Sequence, residues 1–312
     1  SYKEESSIYP LQTPNKSMRY LVIHLLFLLL AVGLNYQTIQ YGLSYREGKA
    51  AYAETLNYRQ RLLDPQEWLN KDAIRAKMAT MKAEAQRLAE VKRKGMQYFY
   101  LHLLLILLYL GSLYAFYRKD KNRMLLVITL ITAALACLPS GLLSPMLEIG
   151  AAEHNLDIGE IPISARVLEM NVQVEVRQAF AGDMYFYYQS KSVVELIQLL
   201  FRQHNWLVGA AILLFSVLFP LGKIISTYYM ALRPASGNRT LSFFVEKSGK
   251  WSMADVFVVA VFLAYLAFSN IQSGIQTESN TLPGLYFFLS YCLLSIMAST
   301  FFASAKNKAK QH

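Results

Sequence analysis

Charge is scarce in this chain: only 17% of its 312 residues are Asp, Glu, Lys or Arg, where a soluble domain carries about 25%. Cysteine is scarcer still. Cys137 and Cys292 are the two present, each inside an apolar run, which excludes a disulfide framework and a cysteine-built metal site. The signatures of soluble catalysis are missing as well. There is no Gly-x-Ser-x-Gly elbow, no phosphate-binding loop and no His-Glu-x-x-His helix. The five histidines are scattered, and His154 and His204 fall in segments read as surface loops. An enzyme is therefore not expected, nor a cofactor, a metal or a nucleic-acid partner. What fills the space is apolar: 54% of the residues are hydrophobic, gathered in long blocks. The formal charge of +10 sits mostly at the flanks of those blocks, where topology and lipid headgroups explain it.

Six blocks approach the roughly 20 apolar residues that a membrane span needs: Tyr20–Ile39, Tyr98–Tyr117, Met124–Leu147, Trp206–Leu232, Met253–Ile271 and Leu285–Ala305. The first follows Lys16 and Arg19 as a signal peptide would. Asn35-Tyr36-Gln37 is no small-residue cleavage site, so it is read as a retained span. Basic residues mark one side of the membrane: Arg118, Lys119, Lys121 and Arg123 between spans two and three, Arg233, Arg239, Lys247 and Lys250 between spans four and five, and Lys306, Lys308 and Lys310 after span six. The expectation is a multi-pass bacterial inner-membrane protein with both termini cytoplasmic. Glu148 to Arg202 then lies outside and is net acidic, in agreement. Residues 46–95 also lie outside yet are net basic, against the rule.

That basic segment reads as helix. Asp64-Pro65-Gln66-Glu67 is a helix start, with Asp as cap and Pro at the first position. Beyond it Ile74, Met78, Met81, Ala85, Leu88 and Val91 recur at spacings of four and three, a near-heptad seam. With helix formers from Ser44 to Leu63, the segment 44–94 is expected to form a helical hairpin continuous with spans one and two, projecting on the order of 30 Å. Its stripe either pairs with itself in a solvated spacer or docks another protein.

The second outer segment changes period. Leu168, Met170, Val172, Val174 and Val176 alternate with Glu169, Asn171, Gln173 and Glu175, the mark of a half-buried strand. Ala181-Gly182-Asp183 is a turn signal, and Met184–Tyr188 a β-prone return, so a small β-hairpin is expected. Ser192-Val193-Val194-Glu195 has the capping-box pattern. It opens an amphipathic helix expected on the outer membrane surface.

Polar groups inside lipid need a reason. Lys223, in Phe219-Pro220-Leu221-Gly222-Lys223, stands about nine residues or 13 Å from the end of span four. It either snorkels or forms an inward ion pair, with Asp255 in span five as partner and Ser252 one turn before it. Asp255 near a helix N-terminus also simply favours the dipole. Pro139-Ser140-Gly141 and Ser144-Pro145 interrupt span three, and Pro220 and Gly222 interrupt span four. Such breaks mark either a substrate path or a packed kink. Ser269, Asn270 and Gln272 could line the same path.

Four of these stretches resemble the paraquat-inducible protein A family of bacterial inner-membrane proteins: Leu138-Pro139 with Leu143-Ser144-Pro145-Met146, Ser192–Leu200, Leu218–Lys223, and above all Gly249-Lys250-Trp251-Ser252-Met253-Ala254-Asp255-Val256-Phe257-Val258-Val259. The resemblance covers about 121–305. It implies a role in moving phospholipid through the envelope with mammalian-cell-entry (MCE) type proteins. It also implies a charge network of Lys223, Ser252 and Asp255, to which Lys250 is adjacent. The Cys-x-x-Cys zinc ribbon and second four-span unit of many family members are missing here.

The reading is an all-α membrane protein of about six spans. It comprises a cytoplasmic N-terminus 1–19, two spans with an outer helical hairpin over 20–120, a four-helix unit over 121–305 with outer loop 148–205 and a small β-hairpin, and a cytoplasmic tail 306–312. The expected function is lipid transport along Pro139, Ser140, Ser144, Pro145, Pro220, Ser269 and Asn270. The alternative is a non-transporting scaffold that orients an envelope partner.

Overall fold

The computed structural model describes residues 14–65, 71–120, 123–167, 170–180, 182–232, 260 and 277–310. Two long helices dominate the first third, α1 (Pro14–Thr55) and α3 (Lys71–Asp120), with a short α2 (Tyr58–Leu63) between them. They are antiparallel and in extended contact, so the first two spans continue unbroken into the projecting hairpin. Among the described residues five helices are long and apolar enough to cross a membrane: Met18–Thr55, Ile74–Ala115, Met124–Leu143, Trp206–Met230 and Pro283–Ser304. The expected fifth span, 253–271, lies outside the described residues.

The third span, α4 (Arg123–Leu143), is the axis of the bundle: 78% of its apolar window is buried, against 22% in α1. It stops at Leu143 rather than 147. Pro145 disfavours helical backbone at Ser144, and Leu147 already begins a strand. The last helix, α8 (Pro283–Lys310), runs antiparallel to α4 in the broadest helix contact of the molecule. That contact is backbone-close. A Cβ on Gly141 would stand 2.8 Å from the Phe288 backbone, and one on Gly284 would stand 2.4 Å from the Ser144 carbonyl. Outward-facing Leu25, Leu29, Leu104, Leu108, Leu207, Leu218, Ile225 and Leu293 are exposed, as a lipid-facing belt requires.

At one end of the bundle the chain makes a β-ribbon. β1 (Leu147–His154) pairs with β4 (Asp183–Lys191), and β2 (Asp157–Val167) with β3 (Met170–Ala179), both antiparallel. The expected pairing of 167–176 with 184–188 is therefore corrected. The alternating strand exists, but it folds back on 157–167, and 183–191 returns to 147–154. Asn155 and Gly182 join the two halves: each N–H reaches the other residue, at 2.9 Å to the Gly182 carbonyl and 2.8 Å to Asn155 Oδ1. The turn signal at Gly182, whose φ is +82°, thus marks a kink within one long ribbon. A fifth strand, β5 (Thr277–Thr281), adds to the other edge of β1.

The amphipathic helix α5 (Val193–Arg202) opens with the expected capping box: Glu195 N–H donates to Ser192 Oγ, and Ser192 N–H to Glu195 Oε2. Its apolar face, Val193, Leu196, Ile197 and Leu200, is buried in the main core, packed on α4 and on α6 (Trp206–Leu213). Helix, not lipid, covers it. The fourth span continues from α6 through a π-helical turn, Leu214–Leu218, into α7 (Phe219–Leu232).

The helix expected through 44–63 breaks at Leu56-Asn57. There the Leu56 carbonyl accepts from Tyr185 N–H at 2.9 Å, and Asn57 bridges to Tyr185. The near-heptad seam faces inward as the spacing predicts, and its outer half meets more than itself. Met78 and Met81 cluster with Ala53, Leu56 and Tyr185. The arm therefore lies against the chain's own sheet.

Candidate functional site in the membrane bundle

Helix geometry puts Ile212, Ser216, Pro220, Lys223, Ile224 and Thr227 along one side of the fourth span, and all six are buried. The π turn explains how. Pro220 has no N–H for the Ser216 carbonyl and its ring crowds the preceding turn; one extra residue in the turn relieves that clash. The interruption expected at Pro220 and Gly222 is thus a π-bulge one turn upstream, a feature frequent at functional sites. It leaves Ser216 Oγ buried with no hydrogen-bond partner among the described residues. Lys223 is 4% exposed, so its ammonium does not end in water. Thr227 Oγ1 donates to the Lys223 carbonyl at 2.8 Å. Lys250, Ser252, Asp255, Ser269 and Asn270 lie outside the described residues.

Pro139 lies inside α4, which runs on unbroken to Leu143 rather than stopping at Pro139 as its sequence suggested, and a residue the sequence did not single out bonds the backbone on either side of it. Asn35 of α1 donates from Nδ2 to the Ala136 carbonyl at 2.9 Å, and its Oδ1 accepts from Ser140 N–H at 3.1 Å and from Ser140 Oγ at 2.5 Å. Ala136 stands three residues before Pro139 and Ser140 directly after it, the carbonyl and N–H that an unbroken helix would pair with each other, so one amide satisfies both. Pro139 is half-buried, while Ser140, Ser144 and Pro145 are buried. Gly42 of α1 abuts Pro145, and Gly284 of α8 abuts the Ser144 and Pro145 carbonyls. Ser144 Oγ has no partner among the described residues.

A second polar focus lies where the bundle meets the sheet. Glu148 of β1 is 5% exposed. Its carboxylate accepts from Tyr45 of α1 at 3.0 Å, Tyr188 of β4 at 3.3 Å, Asn280 of β5 at 3.3 Å and Lys92 of α3 at 3.4 Å. Burial, then the Glu148 charge, raises the Tyr188 phenol well above its usual value, so it stays a donor. Beside it Arg46 pairs with Glu195, and Lys49 donates to the Tyr185 hydroxyl at 2.7 Å. Arg61, 2% exposed, donates to the Asp183 carbonyl at 3.0 Å. Sequence reading missed this cluster because its members come from seven elements, α1, α2, α3, α5, β1, β4 and β5. The only signal was the excess of basic residues in 46–95, a segment expected to lie on the side where basic residues are few.

Residues 182–306 match the family model of paraquat-inducible protein A. That stretch is similar to paraquat-inducible protein A. It takes in β4, the π-bulged span with Lys223, β5 and α8. The resemblance read from the sequence began at about 121, so Leu138–Met146 stands outside the match. The N-terminal arm stands outside it too, yet Arg46, Lys49 and Arg61 all land on residues 183–195, at the start of the matched stretch. No curated protein and no solved structure matches the chain.

Proposed function

We propose that this chain is the bacterial inner-membrane component of an envelope lipid-transport system, with both termini cytoplasmic, passing phospholipid to or from an MCE-type partner. The observation that carries the reading is Lys223, a cation buried in mid-span on a proline-broken, π-bulged helix. A buried charge of this kind is costly and marks function, and a change in its protonation biases one packing over another. The paraquat-inducible protein A match over the same helix supports it. Ser216, Ser226 and Thr227, all buried on the same helix, supply hydroxyls suited to a lipid headgroup. Asp255 and Ser252 are proposed to complete the charge network, and Pro139, Ser140, Ser144, Pro145, Pro220, Ser269 and Asn270 to flank the path.

The test places benzoylphenylalanine at Phe215, inside the π turn, with a control at Leu207, which is 84% exposed. Labelled phospholipid captured at 215 well above the control, and lost in Lys223→Met, is the expected result. Equal capture at both positions, with full barrier function in Lys223→Met, would sink the transport reading. A non-transporting scaffold would then be the better account.

A further inference from the structure

The alternating strand read from the sequence ends in a ribbon that no other described element covers. Its register runs from Ile161–Val176 through Ile163–Val174 to Val167–Met170, and every second pair is apolar on both strands. Residues paired across an antiparallel ladder share a face, so eight apolar positions make up one face of the ribbon. The intervening pairs, such as Glu160–Arg177 and Ser164–Gln173, make the other face polar. Among the described residues β2 and β3 make broad contact only with each other, as a two-stranded sheet apart from the one that β4, β1 and β5 form. A lone two-stranded ribbon is marginal in water, and a continuous apolar face marks a contact site.

Lipid reaches little of that face. The ribbon starts at the Asn155–Gly182 kink, where a Cβ on Gly182 would stand 2.8 Å from the end of the Met78 side chain. Met78 and Tyr98, where the apolar run of the second span begins, both lie on α3, about 30 Å apart at 1.5 Å per residue. β2 has 11 residues, about 35 Å of strand, so even a ribbon folded straight back along the arm would touch headgroups only at its tip. A strand added to the β2 edge would meet Pro162, which has no N–H to offer it. A second copy of the chain meets neither obstacle. Copies in one bilayer share orientation and height, and a two-fold axis along the membrane normal sets the same patch of each against the other. Two ribbons face to face make a small sandwich about 10 Å thick with its polar sides outward. The footprint, about 35 Å by about 10 Å, is roughly 350 Å² per copy. That is under half of the roughly 800 Å² per partner in a stable complex formed from free solution, and it suits two chains that a membrane already holds in one plane. We propose that the apolar face of the β2–β3 ribbon is the contact between two copies of this chain in the membrane. The contact is independent of the lipid-transport reading.

The test uses the full chain in native membranes, with benzoylphenylalanine at Val174 on the apolar face or at Gln173 on the polar one. Light should join chain to chain at 174, as a band of twice the mass whose cross-linked peptides mix the isotope labels of two co-expressed copies. The same band should be several-fold weaker at 173. In lipid nanodiscs, photobleaching of a dye-labelled chain should count two copies per particle for wild type. Val172→Asp combined with Val176→Asp should leave one copy per particle, while Ser164→Asp combined with Gln173→Lys on the polar face should leave two. The probe at 174 reads the contact in a ribbon that carries no introduced charge, so a double variant that fails to fold does not decide the outcome. Chain-to-chain joining equal at 173 and 174 would overturn the contact. So would phospholipid or a different protein captured at 174 in place of a second copy, or one copy per particle in wild type.

Discussion

Asn35 shows what one amide does at a proline kink. Its two ends hold groups on either side of Pro139, so Asn35→Ala strands a carbonyl and an N–H in the core at about 1–3 kcal/mol each. The expected outcome is a lower unfolding midpoint in detergent for Asn35→Ala, with Asn35→Gln between it and wild type. An unchanged midpoint for Asn35→Ala would mean that Ala136 and Ser140 bond elsewhere. Tyr188 makes a prediction of opposite character. Its phenol is raised above the ordinary 10.0 by burial and by Glu148, so the folded protein holds that proton more tightly than the unfolded one. The associated stability is complete below pH 10 and drains away as pH rises beyond it. Tyr188→Phe should therefore show a shallower alkaline loss of melting temperature than wild type; parallel curves would remove Tyr188 from that balance.

Among elements, the glycines decide how closely helices meet. Gly141 and Gly284 have backbone of the partner segment within 2.8 Å of a would-be Cβ, whereas Gly33 has nothing within 4 Å. Gly141→Ala and Gly284→Ala should each cost about 1–3 kcal/mol through overpacking, measured as detergent unfolding, while Gly33→Ala should be neutral or slightly stabilising. The reverse order would show that α4 and α8 can part without cost. The legibility of these elements in the sequence follows the same divide. Periodicity within one element was readable: the seam from Ile74 to Val91, the alternation at 170–176 and the box at Ser192–Glu195 all correspond to structure. Partner choice was not. Nothing in Val172 or Tyr185 says which strand it will pair with, because register is fixed by the long return through Asn155 and Gly182. Asn35 and Glu148 likewise gain meaning from groups far along the chain, 101 residues away for the Asn35–Ala136 bond and 40 to 132 for the partners of Glu148.

For the whole molecule, the arm belongs to the body. Arg46, Lys49, Arg61 and the Leu56–Tyr185 backbone bond tie it to the sheet, and Met81 and Leu56 bury apolar surface there. If a protease site is placed within 66–70 and cut, the two fragments should stay together through purification in mild detergent. With Lys49→Met and Arg61→Met added they should separate more readily. Separation no easier in Lys49→Met with Arg61→Met than in wild type would show that these two contacts do not hold the arm to the sheet.

The third helix has one more property. It passes from Lys71 to Asp120 as 50 residues, about 75 Å at 1.5 Å per residue. It holds no proline, and its Gly-Ser pair, Gly111-Ser112, comes only near its far end, so the usual causes of a sharp kink are missing over most of its length. Lys92, bonded to Glu148, sits part-way along. A rod this long without a kink is stiff, so a load applied to α2 or to the Lys71 end of α3 is carried along its axis to the limb packed against α4.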